Sequence, residues 1–247
     1  MISLTPDVLG KTTVTITINN KTFQVNINTL GVDVPNSLLL STKQKKQITV
    51  KGINGIKWNS SNSSVVSVSK NGTIYAKKTG NAVLIGTLGD LQLGCAVSVV
   101  TPARKRTVQK AVQIAKTCTY SQPKRMQEKF YDCSSLVWKS YHKNGVNFGM
   151  AYYAPVAADM GKWCAQHKKL VSGGLSQANI QNMKLNPGDV MFETGQKNGR
   201  YKGIYHVEMI TGYIFYGFDG NGKAELGIQW ATGDEKYYPM GQMVGRP

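Results

Sequence analysis

The spacing of apolar residues changes near Thr101-Pro102, and this change divides the chain into two parts that must fold differently. Before it, from residue 34, short runs of β-branched residues recur roughly every 8 to 12 residues. Turn dipeptides such as Asn71-Gly72, in which both residues tolerate a positive φ, separate these runs. This spacing is typical of a small antiparallel sandwich, which we predict for residues 34–101.

The segment that precedes the sandwich alternates polar and apolar residues about an Asn-Asn pair. Residues 13–18 and 22–27 are therefore predicted to form a hairpin. We expect residues 1–33 to be an extension of the sandwich or the end of something upstream. They show no basic region followed by an apolar one, so we expect no secretory signal at the amino terminus.

The part after the boundary mixes helical and strand patterns, and residues 104–247 are long enough for one domain. A basic amphipathic helix is predicted at its start. Strands are predicted after the tight turn Pro187-Gly188 and again from His206. The fold class is therefore α+β, preceded by an all-β sandwich, and we expect the two halves to fold separately, joined near residues 101–106.

The chain carries 30 Lys and Arg against 13 Asp and Glu, a net charge of +17. Such a field favours a polyanionic partner, whether nucleic acid, an anionic membrane, or a wall bearing acidic peptides and teichoic acid. The basic residues are not interleaved with aromatic ones and no nucleic-acid-binding motif is present, so we predict no nucleic acid partner. No apolar run approaches the roughly 18 residues of a membrane span, so no transmembrane segment is predicted.

One cysteine has neighbours that indicate chemistry. Cys95, Cys118, Cys133 and Cys164 lack metal-binding spacing, so we predict no metal, no other cofactor and no disulfide framework. Asp132 and the apolar spacing after it predict a helix that begins at Cys133. The N–H groups and dipole of a first helical turn stabilise a thiolate, so we expect a lowered pKa for Cys133 and an oxyanion bound at its N–H.

A thiol nucleophile needs a base, and the chain has three histidines. His142 lies at the predicted end of the Cys133 helix, and His167 is flanked by lysines. His206 begins a β run after a glycine-rich loop, and a strand is a more rigid platform than a helix tip. We therefore select His206 as the candidate base.

A motif in the first half resembles the bacterial Ig-like domain, group 2. The pattern is W-x-S-S-N-x-x-V-x-x-V-x-x-x-G-x-I-x-A-K-K-x-G-x-A. The resemblance implies a surface or wall-associated spacer module. The matching residues are Trp58, Ser60, Ser61, Asn62, Val65, Val68, Gly72, Ile74, Ala76, Lys77, Lys78, Gly80 and Ala82.

Three ordered motifs in residues 104–247 resemble the NlpC-type cell-wall cysteine peptidases, papain-like enzymes of bacteria and their phages. The family patterns are D-C-S-G-L-V, P-G-D-L-V-F-F and H-V-G-I-Y-x-G. The resemblance implies a papain-like fold with Cys133 as nucleophile and His206 as base. The matching residues are Asp132, Cys133, Ser134, Leu136 and Val137, then Pro187, Gly188, Asp189 and Phe192, then His206, Val207, Ile210 and Gly212.

The resemblance also implies the other site residues. Tyr120 corresponds to a tyrosine that lines the substrate site, and Asp132 and Ser134 are placed with it as substrate-binding residues. The third polar residue of the family is best matched by Gln229, with Glu225 as a rival.

Two departures from the family pattern matter. Ser135 stands where the family has Gly, and Glu208 replaces a small residue after the H-V pair. Glu208 leaves the strand on the same face as His206, so it is either the partner of that histidine or a substrate contact.

The expected chemistry is acyl transfer to water. Cys133 attacks an amide carbonyl, His206 takes and returns the proton, and Gln229 orients the imidazole. The resemblance implies peptidoglycan as substrate, with a D-Glu-linked bond of the stem peptide favoured. Teichoic acid and a larger phage tail or secretion assembly are the further partners considered, and the expected location is extracellular, wall-associated or in a virion.

Three alternatives stay open from the sequence. One is a CHAP-like amidase or cross-bridge peptidase. Another is a non-catalytic wall-binding protein that has lost activity, against which the intact Cys133 and His206 argue. The last is a nucleic-acid-binding protein, which the charge permits but no motif supports.

Overall fold

The structure is a computed structural model of the chain that describes residues 10–29, 31–51, 55–233 and 237–247. The first nine residues of the predicted extension, 1–9, lie outside the described residues. The described part of the chain contains no helix with the length and apolar character that crossing a membrane requires.

The described residues begin with a two-stranded hairpin. Strands β1 (Gly10–Ile18) and β2 (Lys21–Thr29) pair antiparallel in continuous register. Asn19 and Asn20 form the turn with φ angles of 50° and 58°. Asparagine tolerates this left-handed conformation, and its twist matches that of the two strands, so the predicted hairpin is confirmed.

A β-sandwich follows, as the turn spacing predicts. Its strands are β3 (Gly31–Asp33), β4 (Ser37–Ser41), β5 (Lys45–Gln47), β6 (Thr49–Lys51), β7 (Lys57–Ser60), β8 (Val66–Val68), β9 (Thr73–Ala76), β10 (Gly80–Leu88) and β11 (Leu91–Val100). One sheet has the order β4-β11-β10-β7, a second has β5-β9-β8, and β3 pairs with β6. Ile74, Leu84 and Val97 are fully buried between the sheets.

The second half is α+β, as predicted. Its elements are α1 (Pro102–Thr117), β12 (Thr119–Tyr120), β13 (Phe130–Tyr131), α2 (Cys133–His142), α3 (Ala157–Gln166), α4 (Gln177–Gln181), β14 (Val190–Thr194), β15 (Ile204–Phe218), β16 (Ala224–Trp230) and β17 (Met243–Gly245). Thr101 caps α1 by accepting a hydrogen bond from the Arg104 N–H, and Pro102 occupies the first turn. Proline needs no hydrogen-bond acceptor there, which fixes the boundary between the halves.

The main sheet of the second half is antiparallel, with the order β16-β15-β14-β17. Helix α2 packs its apolar stripe on this sheet, where Leu136 and Val137 share a buried cluster with Val207 and Met209 of β15. This packing brings the first turn of α2 against the first residues of β15. The candidate nucleophile and the candidate base lie on these two elements.

The two halves, which we predict to fold as separate units, share a buried cluster. Val83 and Ala96 of the sandwich are buried together with Leu175, Ile210 and Tyr213 of the second half. Apolar surface removed from water stabilises the folded state roughly in proportion to its area, so each half contributes to the stability of the other.

Hydrogen bonds also cross this junction. The side-chain amide of Asn81 donates to the carbonyl oxygens of Met183 and Leu185, at 3.0 and 2.9 Å. The backbone N–H of Phe215 in β15 donates to the carbonyl oxygen of Asn36 at 2.9 Å. The sandwich therefore meets the same strand that carries His206.

Candidate active site

Helix α2 begins at Cys133 because Asp132 and Ser135 cap each other. The Asp132 carboxylate accepts a hydrogen bond from the Ser135 N–H at 2.7 Å, and the Ser135 hydroxyl accepts one from the Asp132 N–H at 2.8 Å. This reciprocal arrangement satisfies two backbone donors at the helix start. Ser135, which departs from the family pattern, thus has a structural reason to be there.

Asp132 and Ser134 are buried and bind Arg125. The Arg125 Nη1 atom donates to Asp132 Oδ2 at 2.9 Å and to Ser134 Oγ at 2.8 Å, and the Nη2 atom donates to the Ala154 carbonyl. Asp132 is 4% exposed and Ser134 is 1% exposed. We predicted these two side chains as substrate contacts. Their burial beneath the helix start corrects that prediction and makes them supports of the helix start.

The charge of Asp132 is stabilised in this position. Burial alone would raise its pKa, but the hydrogen bonds from Ser135 and Arg125 outweigh burial and hold the pKa below its usual range. Arg125 lies in a loop that has no periodic pattern, and sequence reasoning did not single it out.

Cys133 contacts the segment that carries the candidate base. The nearby backbone N–H groups of Val207 and Ser134 favour the thiolate and act to lower its pKa, and Val207 is the residue after His206. Burial nevertheless raises the pKa of the thiol, and the carboxylates of Asp132 and Glu208 raise it further. The expected lowering of this pKa is therefore wrong: the two N–H groups do not compensate for burial, and Cys133 needs a base to lose its proton.

Tyr120 lies beside Cys133, the candidate nucleophile. Its hydroxyl lies near the Cys133 backbone N–H, and its ring packs edge-on against Tyr131 with 5.5 Å between the ring centroids. The side chain is 53% exposed. A molecule that reaches Cys133 from solvent would thus meet the Tyr120 side chain.

His206 lies near the start of β15 and is half-buried. Its Nε2 atom is 3.3 Å from the Tyr238 hydroxyl oxygen, and the two rings are stacked with 5.9 Å between centroids. Glu193 of β14 is its register partner across the sheet. Tyr238 follows β16 in a stretch with no strand pattern, so sequence reasoning missed it.

Glu208 is buried and hydrogen-bonded, not directed at solvent. It is 2% exposed, and its carboxylate accepts from the Met209 N–H at 2.9 Å, from the Thr232 hydroxyl, and from the Tyr238 hydroxyl at 3.5 Å. The assignment of Glu208 to substrate binding is therefore corrected. Of the two roles considered for it, partnership with His206 is the one that its contacts favour, through Tyr238.

Gln229 lies far from His206. In β16 it pairs with Gly212, which is six residues along β15 from the histidine. At about 3.3 Å per residue this is roughly 20 Å, beyond the reach of the two side chains. The Gln229 Oε1 atom instead accepts a hydrogen bond from the Ser37 hydroxyl of the sandwich at 2.6 Å.

The prediction that Gln229 orients the imidazole is thus wrong. The sequence locates the strand that carries Gln229, but it does not show which residues of β15 that strand pairs with. Its rival Glu225 is exposed and pairs with Gly217, farther still from His206.

The remaining cysteines and histidines have ordinary structural settings. Cys95 and Cys164 are buried, which raises the pKa of each thiol to about 12. His142 stacks on Trp138 and His167 stacks on Trp163. Within the described ranges, no group of three or more His, Cys, Asp and Glu side chains could hold a metal ion.

Comparison with known proteins identifies the first half. Residues 34–99 match the family model of the bacterial Ig-like domain, group 2. No curated protein matches the chain.

Several solved structures resemble part of the chain. A bacterial Ig-like domain containing GH10 xylanase from termite gut is 21% identical over 26% of this chain and 18% of its own, with a TM-score of 0.24. Domains 4 and 5 of the S-layer protein SbsC are 18% identical over 40% of this chain and 62% of their own, with a TM-score of 0.24. An intimin mutant of EHEC O157:H7 is 12% identical over 57% of this chain and 79% of its own, with a TM-score of 0.23.

The chain spans about a fifth of the length of the xylanase that it matches. At these TM-scores the likenesses support no inference about the second half or about function. The family match, together with the sheets observed between β3 and β11, applies to the first half alone. Residues 34–99 are a bacterial Ig-like domain of group 2.

Proposed function

We propose that the chain is a cysteine peptidase of the papain-like, NlpC type that cleaves an amide bond in the stem peptide of bacterial peptidoglycan. The observation that carries this proposal is the contact between the start of α2 and β15. There the backbone N–H of Val207 favours the Cys133 thiolate, so the only cysteine at a helix start among the described residues adjoins the strand that carries His206.

The proposed reaction begins with proton transfer. Because the Nε2 atom of His206 faces Tyr238, we assign the thiol proton to Nδ1. The thiolate then attacks the amide carbon, and the oxygen becomes an oxyanion next to the Cys133 N–H and the Tyr120 hydroxyl. Collapse of this intermediate breaks the C–N bond, and His206 protonates the departing amine.

Water completes the cycle. His206 removes a proton from a water molecule, the hydroxide attacks the thioester, and the acid product leaves with the thiol restored. No cofactor enters these steps, since the nucleophile and the base are both side chains of this chain.

Two further features support a wall substrate. The net charge of +17 attracts anionic polymers, and the acidic stem peptides and teichoic acids of a wall have this chemistry. The resemblance of residues 34–99 to the bacterial Ig-like domain, group 2, implies a surface or wall-associated spacer module. The D-Glu-linked bond is preferred because the three motifs resemble those of the NlpC peptidases.

The test is digestion of purified peptidoglycan and of defined muropeptides, followed by mass spectrometry of the fragments. We expect wild-type protein to release stem-peptide fragments ending at D-Glu and Cys133→Ala to release none. Cys118→Ala is the matched control, because Cys118 is also only partly buried, and it should cleave like wild type.

Three results would decide otherwise. Cleavage next to muramic acid or in the cross-bridge would keep the hydrolase and favour the CHAP-like alternative. Binding to walls without cleavage would favour the non-catalytic alternative. Equal cleavage by Cys133→Ala would overturn the assigned nucleophile.

A further inference from the structure

Tyr238 connects the candidate base to a buried carboxylate. Its hydroxyl oxygen lies 3.3 Å from His206 Nε2 on one side and 3.5 Å from Glu208 Oε2 on the other. Tyr238 is 7% exposed and Glu208 is 2% exposed. The series of hydrogen bonds from His206 through Tyr238 to Glu208 is thus largely shielded from water. Electrostatic interactions in such a buried position are stronger than at the protein surface.

The chemistry of the three groups fixes the direction of these hydrogen bonds. An ionised carboxylate only accepts, and Glu208 also receives the Met209 N–H and the Thr232 hydroxyl. The single hydroxyl proton of Tyr238 therefore points to Glu208. A lone pair of the Tyr238 hydroxyl oxygen is left facing His206. This lone pair can accept a hydrogen bond from His206 only if Nε2 carries a proton.

We infer that Tyr238 and Glu208 are positioning residues that hold His206 in its Nε2–H tautomer, with Nδ1 as the proton acceptor for Cys133. The inference rests on the proposed function, because it describes how the base of that same site is prepared. The Glu208 charge, acting through the Tyr238 hydroxyl, also stabilises the imidazolium that forms once Nδ1 has taken the thiol proton. Orienting the imidazole is the task that sequence reasoning assigned to Gln229.

Other ionisable groups surround this chain of hydrogen bonds. Glu193 is the register partner of His206 on β14, and its carboxylate lies near the Tyr205 hydroxyl and raises the pKa of that tyrosine. The charges of Glu193 and Cys133 also act on Tyr238. Glu208 differs from Glu193 because its own hydrogen bond reaches the Tyr238 hydroxyl.

A purely structural role for Tyr238 is the competing explanation, because its ring packs edge-on against Trp230 with centroids 4.8 Å apart. Tyr238→Phe separates the two explanations: it keeps the ring and removes only the hydroxyl. Tyr237→Phe is the matched control, since the neighbouring tyrosine is 82% exposed. Glu208→Gln is a second variant that keeps the shape of the side chain and removes its charge.

The first measurement is the ¹⁵N spectrum of the His206 imidazole in the intact chain. Wild type and Tyr237→Phe should show the Nε2–H tautomer, whereas Tyr238→Phe should show a mixture of tautomers. The second is the pH profile of Cys133 alkylation by iodoacetamide, resolved by peptide mass spectrometry. Tyr238→Phe and Glu208→Gln each remove or weaken the hydrogen bond between Tyr238 and Glu208. In both variants the acid limb of the Cys133 alkylation profile should therefore move up by about one pH unit.

Neither readout depends on cleavage of a wall substrate. If wild type cleaves no peptidoglycan, the proposed function fails while the tautomer and the alkylation profile still test this inference. If Tyr238→Phe keeps the wild-type tautomer and profile, or if Tyr237→Phe changes them equally, the inference is overturned. Should Tyr238→Phe fail to fold, Glu208→Gln decides by the same two readouts.

Discussion

The ring of Phe215 lies where a side chain on Gly94 would have to be. A Cβ atom built on Gly94 would come within 2.2 Å of Phe215 Cζ, far closer than atoms in van der Waals contact. Gly94 belongs to β11 of the Ig-like domain and Phe215 to β15 of the second half. The absence of a side chain at Gly94 is thus what allows the two halves to approach so closely.

Gly94→Ala should therefore destabilise the protein by about 1–3 kcal/mol, the range for an overpacked contact. Urea unfolding monitored by circular dichroism measures this change. Gly217→Ala is the control, because a Cβ at Gly217, also in a strand, would have no neighbour within 4 Å. Equal stability of the two variants would contradict the tight junction.

Asp132→Asn should lower the stability at pH 7 by about 3 kcal/mol, since it leaves Arg125 without its buried counter-charge. Asparagine can still cap the helix, so the loss reports on the charge. Asp159→Asn, at an exposed position in the first turn of α3, should change stability by less than about 0.5 kcal/mol.

The same pair predicts a pH dependence. The pKa of Asp132 is lower in the folded state than its ordinary value, so its contribution is complete above about pH 4 and is lost as the pH falls through the folded-state pKa. Thermal melts from pH 7 to pH 2 should therefore show that the melting temperature falls less with acid in Asp132→Asn than in wild type. Parallel curves would argue that Asp132 is not the group that titrates.

His206→Ala should slow the alkylation of Cys133 at pH 7 by tenfold or more, on the order of one unit in the pKa of the thiol. The physical reason is that burial raises this pKa, so the thiolate forms only when a neighbouring base takes the proton. His142→Ala should alkylate at the wild-type rate, because His142 stacks on Trp138 at the far end of α2. An unchanged rate in His206→Ala would show that the histidine does not activate the thiol.

Gln229→Ala should affect stability and leave turnover on a muropeptide close to wild type. Its hydrogen bond with Ser37 joins β16 to β4 of the Ig-like domain. A double-mutant cycle with Ser37→Ala should give a coupling of about 1 kcal/mol in the free energy of unfolding. A collapse of turnover in Gln229→Ala with stability intact would restore its catalytic assignment.

Binding of the inactive Cys133→Ala protein to purified walls should weaken steeply with added salt. Contacts between a chain of charge +17 and an anionic polymer are screened beyond about 8 Å at physiological ionic strength. Sedimentation across a salt series measures this, and walls stripped of teichoic acid show whether that polymer is a partner. Binding that does not change with salt would indicate recognition by shape.

Local features were predictable from the sequence. The Asn19-Asn20 hairpin, the boundary at Pro102 and the start of α2 depend on residues close together in the chain. Such turn and cap signals act within a few residues, which is why a pattern of letters suffices to locate them.

The features that sequence reasoning missed are long-range. Arg125 reaches Asp132 from an irregular loop, and Tyr238 reaches His206 across 32 residues. Gln229 was misplaced because the next strand can be recognised from its pattern, whereas its register depends on the length and bulges of β15. The pKa of Cys133 was misjudged because the helix start is local, while burial is a property of the whole fold.

Strand β15 runs unbroken from Ile204 to Phe218, with His206 near one end and the contacts to the Ig-like domain near the other. Two modules on a loose tether would tumble as two small particles. Modules that meet along one strand and share a buried cluster should tumble as one particle of 27.0 kDa. Backbone ¹⁵N relaxation should then yield a single rotational correlation time for amides in both halves. A force applied to the Ig-like domain would be transmitted along β15 to His206.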